Sequence, residues 1–223
     1  MKNSETIGNC LERAEAEVRR VGGKILNLRL LQKGGFDIPE TFLPEDIPSL
    51  PVHMSYIVRS SDPLEDSRLR TSAGLHESVR AVKREDLLNA VEAVRRQYEN
   101  GNVAIQPDLT DEMDFSGVAY TNLKGETVIP MGIKNAVHSI VEGTEAETTI
   151  IISNGQYSIK GKMVGPTVST EIGNEVMRVE DYFGIPIDVE FAFIDGGVVM
   201  LQTRPLLSPT DEALKEHERR QLK

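Results

Sequence analysis

The sequence predicts an α+β chain with a helix-rich N-terminal lobe and a β-rich C-terminal lobe. Three observations carry that expectation. Apolar residues recur at helical spacing in three stretches of the first hundred positions. From Asn102 onward, short runs of alternating β-formers are separated by turn residues. Near the C-terminus, Asp188–Ile194 and Val198–Pro205 alternate around Asp195-Gly196-Gly197, the pattern of a β-hairpin. The expected division is a first lobe over residues 1–100, a second over 101–207 carrying the hairpin, and a charged helical tail over 208–223.

The chain has 223 residues, enough for one large domain or two small lobes with a true core. No apolar run approaches the roughly 18 residues of a membrane span. The N-terminus lacks the apolar centre of a secretion signal. Cys10 is the one cysteine, which excludes an intramolecular disulfide framework and an all-cysteine metal cluster. These features fit a cytoplasmic protein with no membrane partner. The formal net charge of −10 argues against nucleic acid, whose backbone is held through clustered Lys and Arg. A small anion needs only a few local cations, so a nucleotide remains compatible.

In chain order, Ile7, Leu11, Ala14, Val18 and Val21 place an amphipathic helix over about Thr6–Arg20. Gly22-Gly23-Lys24 then opens a second helix through Leu31. A helix N-terminus offers free N–H groups to an anion and Lys24 adds a charge, although Gly-Gly also serves as a plain break between helices. Gly34-Gly35 ends this helix, Phe36–Leu43 reads as a short strand, and the proline-rich stretch to Pro51 as a loop. Ser55–Val58 is a β run that delivers Arg59-Ser60-Ser61, an arginine fork with two hydroxyls suited to phosphate oxygens or simply to solvent.

The small residues of Thr71–Ser78, Gly74 among them, permit close backbone approach to a ligand. His76 reads as a loop residue. Arg84–Tyr98 is a helix with the stripe Leu87, Leu88, Val91, Val94 and Tyr98. Strands are expected at Val103–Gln106, Ser116–Thr121, Thr127–Gly132, His138–Glu142, Thr148–Ser153 and Tyr157–Lys162, and a helix at Thr170–Phe183.

In the hairpin, a three-residue loop would pair Ile194 with Val198, Glu190 with Gln202 and Asp188 with Arg204. All four polar groups then share one face, and Val189, Phe191, Phe193, Val199 and Leu201 face the core. A carboxylate beside an amide, with an acid and a base behind them, suits a hard cation carrying a polyphosphate. The same alternation also suits a solvated face closed by a cross-strand ion pair.

Six blocks, in order, resemble the nucleotide-binding domain of the pyruvate phosphate dikinase and phosphoenolpyruvate synthase family, an ATP-grasp fold. They are Gly22-Gly23-Lys24, Val58-Arg59-Ser60-Ser61, Ala73-Gly74-Leu75-His76-Glu77-Ser78, Ser116-Gly117-Val118-Ala119-Tyr120-Thr121, Gly184–Glu190, and Leu201-Gln202-Thr203-Arg204-Pro205. The resemblance implies an ATP-grasp-like architecture with nucleotide between the lobes. It implies that Lys24, Arg59 and Arg204 are catalytic and hold ATP phosphates, with Gly74 in the loop above them. Gln106 to Leu109 would meet adenine, and Glu190 and Gln202 would ligate Mg2+ with support from Asp188 and Arg204.

The family moves a phosphoryl group from ATP to a histidine on a separate domain. That domain is not within these residues, so a separate phosphohistidine carrier, another acceptor protein or a small molecule is expected as partner. The family's Gly-Leu-Gly-Glu block reads Gly132-Ile133-Lys134-Asn135 here, without its glutamate, and Pro107 follows Gln106. Those departures keep a second expectation open, a nucleotide-binding module of the same fold without chemistry.

Overall fold

The computed structural model describes residues 20–61, 78–97, 102–123, 125–134, 136–137, 140, 146–161 and 164–205. Most of the helix expected over Thr6–Arg20, the loop with Gly74 and His76, and the tail over 208–223 lie outside the described residues.

Helix α1 (residues 20–33) runs through the Gly22-Gly23 pair. Gly22 alone is left-handed, with φ +79°. A Cβ there would overlap the Ser61 carbonyl oxygen, so only glycine lets α1 press against the end of the following strand. Ile25 N–H donates to Ser61 Oγ at 3.2 Å, which fixes the same approach. The helix ends as expected at Gly34-Gly35. Phe36 N–H reaches the Leu31 carbonyl at 3.1 Å, Gly35 N–H reaches Gln32 at 3.0 Å, and Gly35 has φ +75°.

The strand expected over Phe36–Leu43 does not form, apart from one bridge between Phe42 and Ile105. Pro39 removes a backbone donor midway, which disfavours a ladder. The stretch expected as loop contains a 3-10 turn, Pro44–Ser49, whose start is closed by Leu43 N–H donating to Asp46 Oδ2 at 2.8 Å.

The first sheet has the antiparallel order β2-β1-β3, from β1 (Ser55–Ser60), β2 (Val79–Lys83) and β3 (Val103–Pro107). Helix α2 (Leu87–Arg95) covers it through Leu87, Val91 and Val94, which share a core with Tyr56, Val58, Val82 and Ile105. Leu88, expected in that stripe, is exposed. Strand β3 lies beyond residue 100 yet pairs along its length with β1, so the first sheet extends to Pro107.

The second sheet is antiparallel with order β7-β6-β5-β4-β8-β9. Its strands are β4 (Phe115–Leu123), β5 (Glu126–Ile133), β6 (Thr148–Ser153), β7 (Gln156–Gly161), β8 (Ile187–Ile194) and β9 (Gly197–Pro205). Helix α3 (Pro166–Phe183) starts four residues before the expected Thr170, because proline is well placed in a first helical turn. It buries Ile172, Val176 and Val179 against Ile129, Met131, Ile150 and Phe191, a core that Leu28 and Leu31 of α1 also join. Of the strand expected at His138–Glu142, only Ile140 is described. Val137 and Ile140 are helical, with Ile140 N–H on the Ala136 carbonyl at 3.0 Å, and the other residues of that stretch lie outside the described set.

The β8–β9 hairpin has a two-residue turn in place of the expected three-residue loop. Asp195 and Gly196 are both left-handed, with φ +50° and +81°, and Ile194 pairs with Gly197. A bulge then places Leu201 as an extra residue: Phe191 pairs with Met200, and Glu190 with Gln202. The shorter turn and the extra residue cancel, so Glu190–Gln202 and Asp188–Arg204 pair as the sequence suggests. Between turn and bulge the faces are exchanged. Val198 and Met200 enter the core where Val199 and Leu201 were expected. Among the described residues, no helix is long and apolar enough to cross a membrane.

Candidate functional site

Strand β1 of the first sheet and β8 of the second approach each other at Arg59 and Glu190. Arg59 Nη2 stands 3.4 Å from Glu190 Oε2, and these side chains are only 15% and 18% exposed. The separation is long for a charge-assisted hydrogen bond, so the two are a loose ion pair that a ligand could part. They stand in a cleft whose walls include Ile57, Gln106, Pro107, Asp108, Leu109, Met113, Val137 and Leu201. Arg59, Gln106, Leu109 and Glu190, four of the residues singled out from sequence, therefore share one cavity.

Lys24 arrives from α1. Its Nζ lies 3.5 Å from the Ser60 hydroxyl, on the residue next to Arg59. The close approach that Gly22 allows is what brings this lysine to the end of β1. On the hairpin, Gln202 is buried and paired across the strands with Glu190. Asp188 is nearly enclosed, and its Oδ2 accepts from Arg204 Nε at 2.8 Å and Nη2 at 2.6 Å, two charge-assisted bonds on one oxygen. Burial pushes the Asp188 carboxyl above its ordinary range and Glu190 adds to that, while Arg204 acts the other way. Tyr120 on β4 pairs with Asp188, and its phenol is raised by burial, then by the Asp188 charge. Gly74 lies outside the described residues.

Sequence reasoning did not single out Arg80, and it placed Asp108 only within the stretch expected to meet adenine. The β1–β2 register jumps from Tyr56↔Val82 to Val58↔Val79, so Arg80 and Ala81 together stand opposite Ile57. Ala81 is left-handed, φ +54°. Its N–H donates to Asp108 Oδ2 at 2.9 Å, and Asp108 Oδ1 accepts the Thr110 N–H at 3.2 Å and hydroxyl at 2.6 Å. Burial opposes ionisation of Asp108, but these hydrogen bonds and the Arg80 charge hold it below the ordinary carboxylate range. Pro107-Asp108-Leu109-Thr110 carries the turn signature that points to this carboxylate, since Asp bonds backbone two residues on.

The edge of β3 facing the cleft is also defined. Ile105 exchanges both backbone bonds with Phe42, and Asp108 N–H turns the other way, to the Ser55 carbonyl at 2.9 Å. Alternation along the strand therefore turns the Pro107 carbonyl away from β1. Pro107 lacks its N–H, but its carbonyl remains an acceptor. The Gln106 side chain donates to Thr41 Oγ1 at 2.9 Å.

No family model matches the chain, and no curated protein matches it significantly. Solved structures do. D-alanine–D-alanine ligase from Helicobacter pylori superposes with a TM-score of 0.53 at 14% identity, covering 82% of this chain and 53% of that one. An ADP complex of N5-carboxyaminoimidazole ribonucleotide synthetase gives 0.52 at 12%, over 88% and 48%. D-alanine–D-alanine ligase from Bacillus anthracis gives 0.51 at 11%, over 89% and 61%. The chain thus spans about half to three-fifths of these neighbours. At such identities the likeness concerns the fold alone, and the chain has an ATP-grasp-like fold.

Proposed function

We propose that the chain is an ATP-binding module that transfers a phosphoryl group from Mg-ATP to an acceptor, in the manner of the dikinases its motifs resemble. The observation that carries this reading is the meeting of Arg59 and Glu190 across the cleft, from two different sheets. An arginine that grips phosphate and a carboxylate that ligates Mg2+ must lie within one polyphosphate of each other, and these two do. Adenine would lie against the Pro107 carbonyl and the Leu109 side of the cleft, and Lys24 and Arg59 would hold phosphate oxygens.

Glu190 and Gln202 offer two oxygen donors side by side, with Asp188 committed to Arg204. Among the described residues, no group of three His, Cys, Asp or Glu stands ready for a metal. Two protein oxygens completed by phosphate and water suit Mg2+, which keeps several non-protein ligands. When bound, the ion would neutralise charge on the phosphate oxygens. The chain's own residues orient the polyphosphate, exclude water through Leu201 and Met113, and stabilise developing charge with guanidinium and ammonium groups.

The acceptor follows from chemistry outside these residues. A histidine on a separate carrier fits the motif order. An acyl group fits the fold neighbours, which are ligases and a synthetase. The absence of a glutamate in Gly132-Ile133-Lys134-Asn135 favours the second reading, a module that binds nucleotide without turnover. Formation of ADP or AMP with candidate acceptors separates the two, since a binding module forms neither.

Calorimetric titration of Mg-ATP tests the phosphate site. The wild type is expected to bind in the micromolar range and Arg59→Ala to lose at least about tenfold, as expected when a charge-assisted fork is removed. Equal affinities would remove Arg59 from the site, and no binding by the wild type would overturn the nucleotide reading for the isolated chain.

A further inference from the structure

We infer that Arg80 is a second phosphate-binding arginine, and that with Arg59 it selects a polyphosphate over ligands carrying little charge. The inference rests on the nucleotide reading of the cleft, and its first support is the backbone. A non-glycine residue in the left-handed region is strained by its Cβ. Ala81 holds that conformation in the bulge beside Arg80, pinned by the Asp108 carboxylate on its N–H. A bulge re-aims the side chain next to it. Here that side chain is Arg80, which stands in the wall of the cleft that also holds Arg59 and Glu190.

The second support is the charge balance. Two guanidinium groups face one cavity in a chain whose formal net charge is −10. Arg80 is depressed in proton affinity by burial and then by the neighbouring Arg59, with Asp108 and Glu190 acting in the opposite sense. Asp108 is already engaged by the Ala81 and Thr110 donors. If Glu190 turns to Mg2+, the mostly buried Arg59 needs another anion, and Arg80, exposed at the cleft wall, can turn onto the same one. Arg80 is readily exchanged onto one, because its contact with Thr110 Oγ1 is at the 3.5 Å limit of a hydrogen bond. A triphosphate carries enough charge and enough oxygens to meet two forks and a cation at once. A carboxylate or a sugar does not.

The test compares wild type, Arg80→Gln and Arg80→Lys by calorimetry with three probes: Mg-ATP, adenosine and inorganic tripolyphosphate. Arg80 lies on an exposed stretch of β2, so the variants are expected to fold, which circular dichroism and melting temperature check. Arg80→Gln should weaken Mg-ATP and tripolyphosphate about tenfold while leaving adenosine unchanged, and Arg80→Lys should recover only part of the loss. Unchanged Mg-ATP and tripolyphosphate affinities in Arg80→Gln would overturn the inference, as would an equal loss for adenosine. A wild type that binds tripolyphosphate through Arg80 but neither ATP nor adenosine would remove the nucleotide reading and leave the two-arginine site standing. A wild type that binds none of the three would remove both.

Discussion

Glu190→Gln is expected to abolish the Mg2+ dependence of ATP binding and to reduce any Mg-dependent turnover by about 100-fold or more, the scale of losing one transition-state electrostatic partner. The substitution keeps the shape of the side chain and removes its charge. In the free protein it releases Arg59 from its 3.4 Å partner. Binding of metal-free ATP should therefore hold or tighten, because the arginine no longer has to leave a carboxylate, while added Mg2+ ceases to help. That opposite movement of the two conditions separates loss of a metal ligand from general damage to the cleft. Titrations of ATP with Mg2+ and with chelator, on wild type and variant, read it directly. A variant whose affinity still rises with Mg2+ as in the wild type would take Glu190 out of the metal site.

The largest expected effect on stability belongs to Gly22→Ala. Two terms add: the left-handed conformation, roughly 1–2 kcal/mol for an L-residue, and overpacking against the Ser61 carbonyl, typically 1–3 kcal/mol. For a chain of this length about 3 kcal/mol lowers the melting temperature by around 6–12 °C. Gly35→Ala is the internal control. Its φ is +75°, like the +79° of Gly22, but a Cβ there meets nothing within 4 Å. It should show the conformational term alone, and the difference between the two melting curves isolates the contact with β1. Because Lys24 is carried by the same approach, Gly22→Ala should also weaken Mg-ATP in conditions where the protein is still folded. Equal melting temperatures for the two variants would mean that α1 does not hold Ser61 as described.

Much of this was legible in the amino-acid order where one physical signal dominates. Strand β6 keeps its expected bounds because Thr148–Ile152 is an unbroken run of β-branched residues and the turn residues Asn154-Gly155 follow Ser153. The pairings Glu190–Gln202 and Asp188–Arg204 were also legible, but through two compensating differences. Asp-Gly-Gly fits a two- or a three-residue turn, and nothing in Val-Val-Met-Leu marks Leu201 as the extra residue. His138–Glu142 reads equally as alternation and as helix over so short a run, and the chain takes the helix at Val137 and Ile140. The change of composition at Asn102 marks a run of strands, not which sheet each joins, and β3 pairs with β1 of the first sheet. Arg80 was illegible for a sharper reason. Its aim depends on a left-handed alanine, and alanine advertises no such conformation.

Helix α1 shares its two ends between different neighbours. Val21 and Ile25 are buried with Ala104 of the first sheet, whereas Leu28 and Leu31 are buried in the core of the second. It is therefore an axle between two plates. Turning one sheet against the other about that axle would part Arg59 from Glu190, which stand on different sheets, and points near an axle travel least. Lys24 sits on that axle against Ser60, so such a turn would leave the lysine in register with the end of β1.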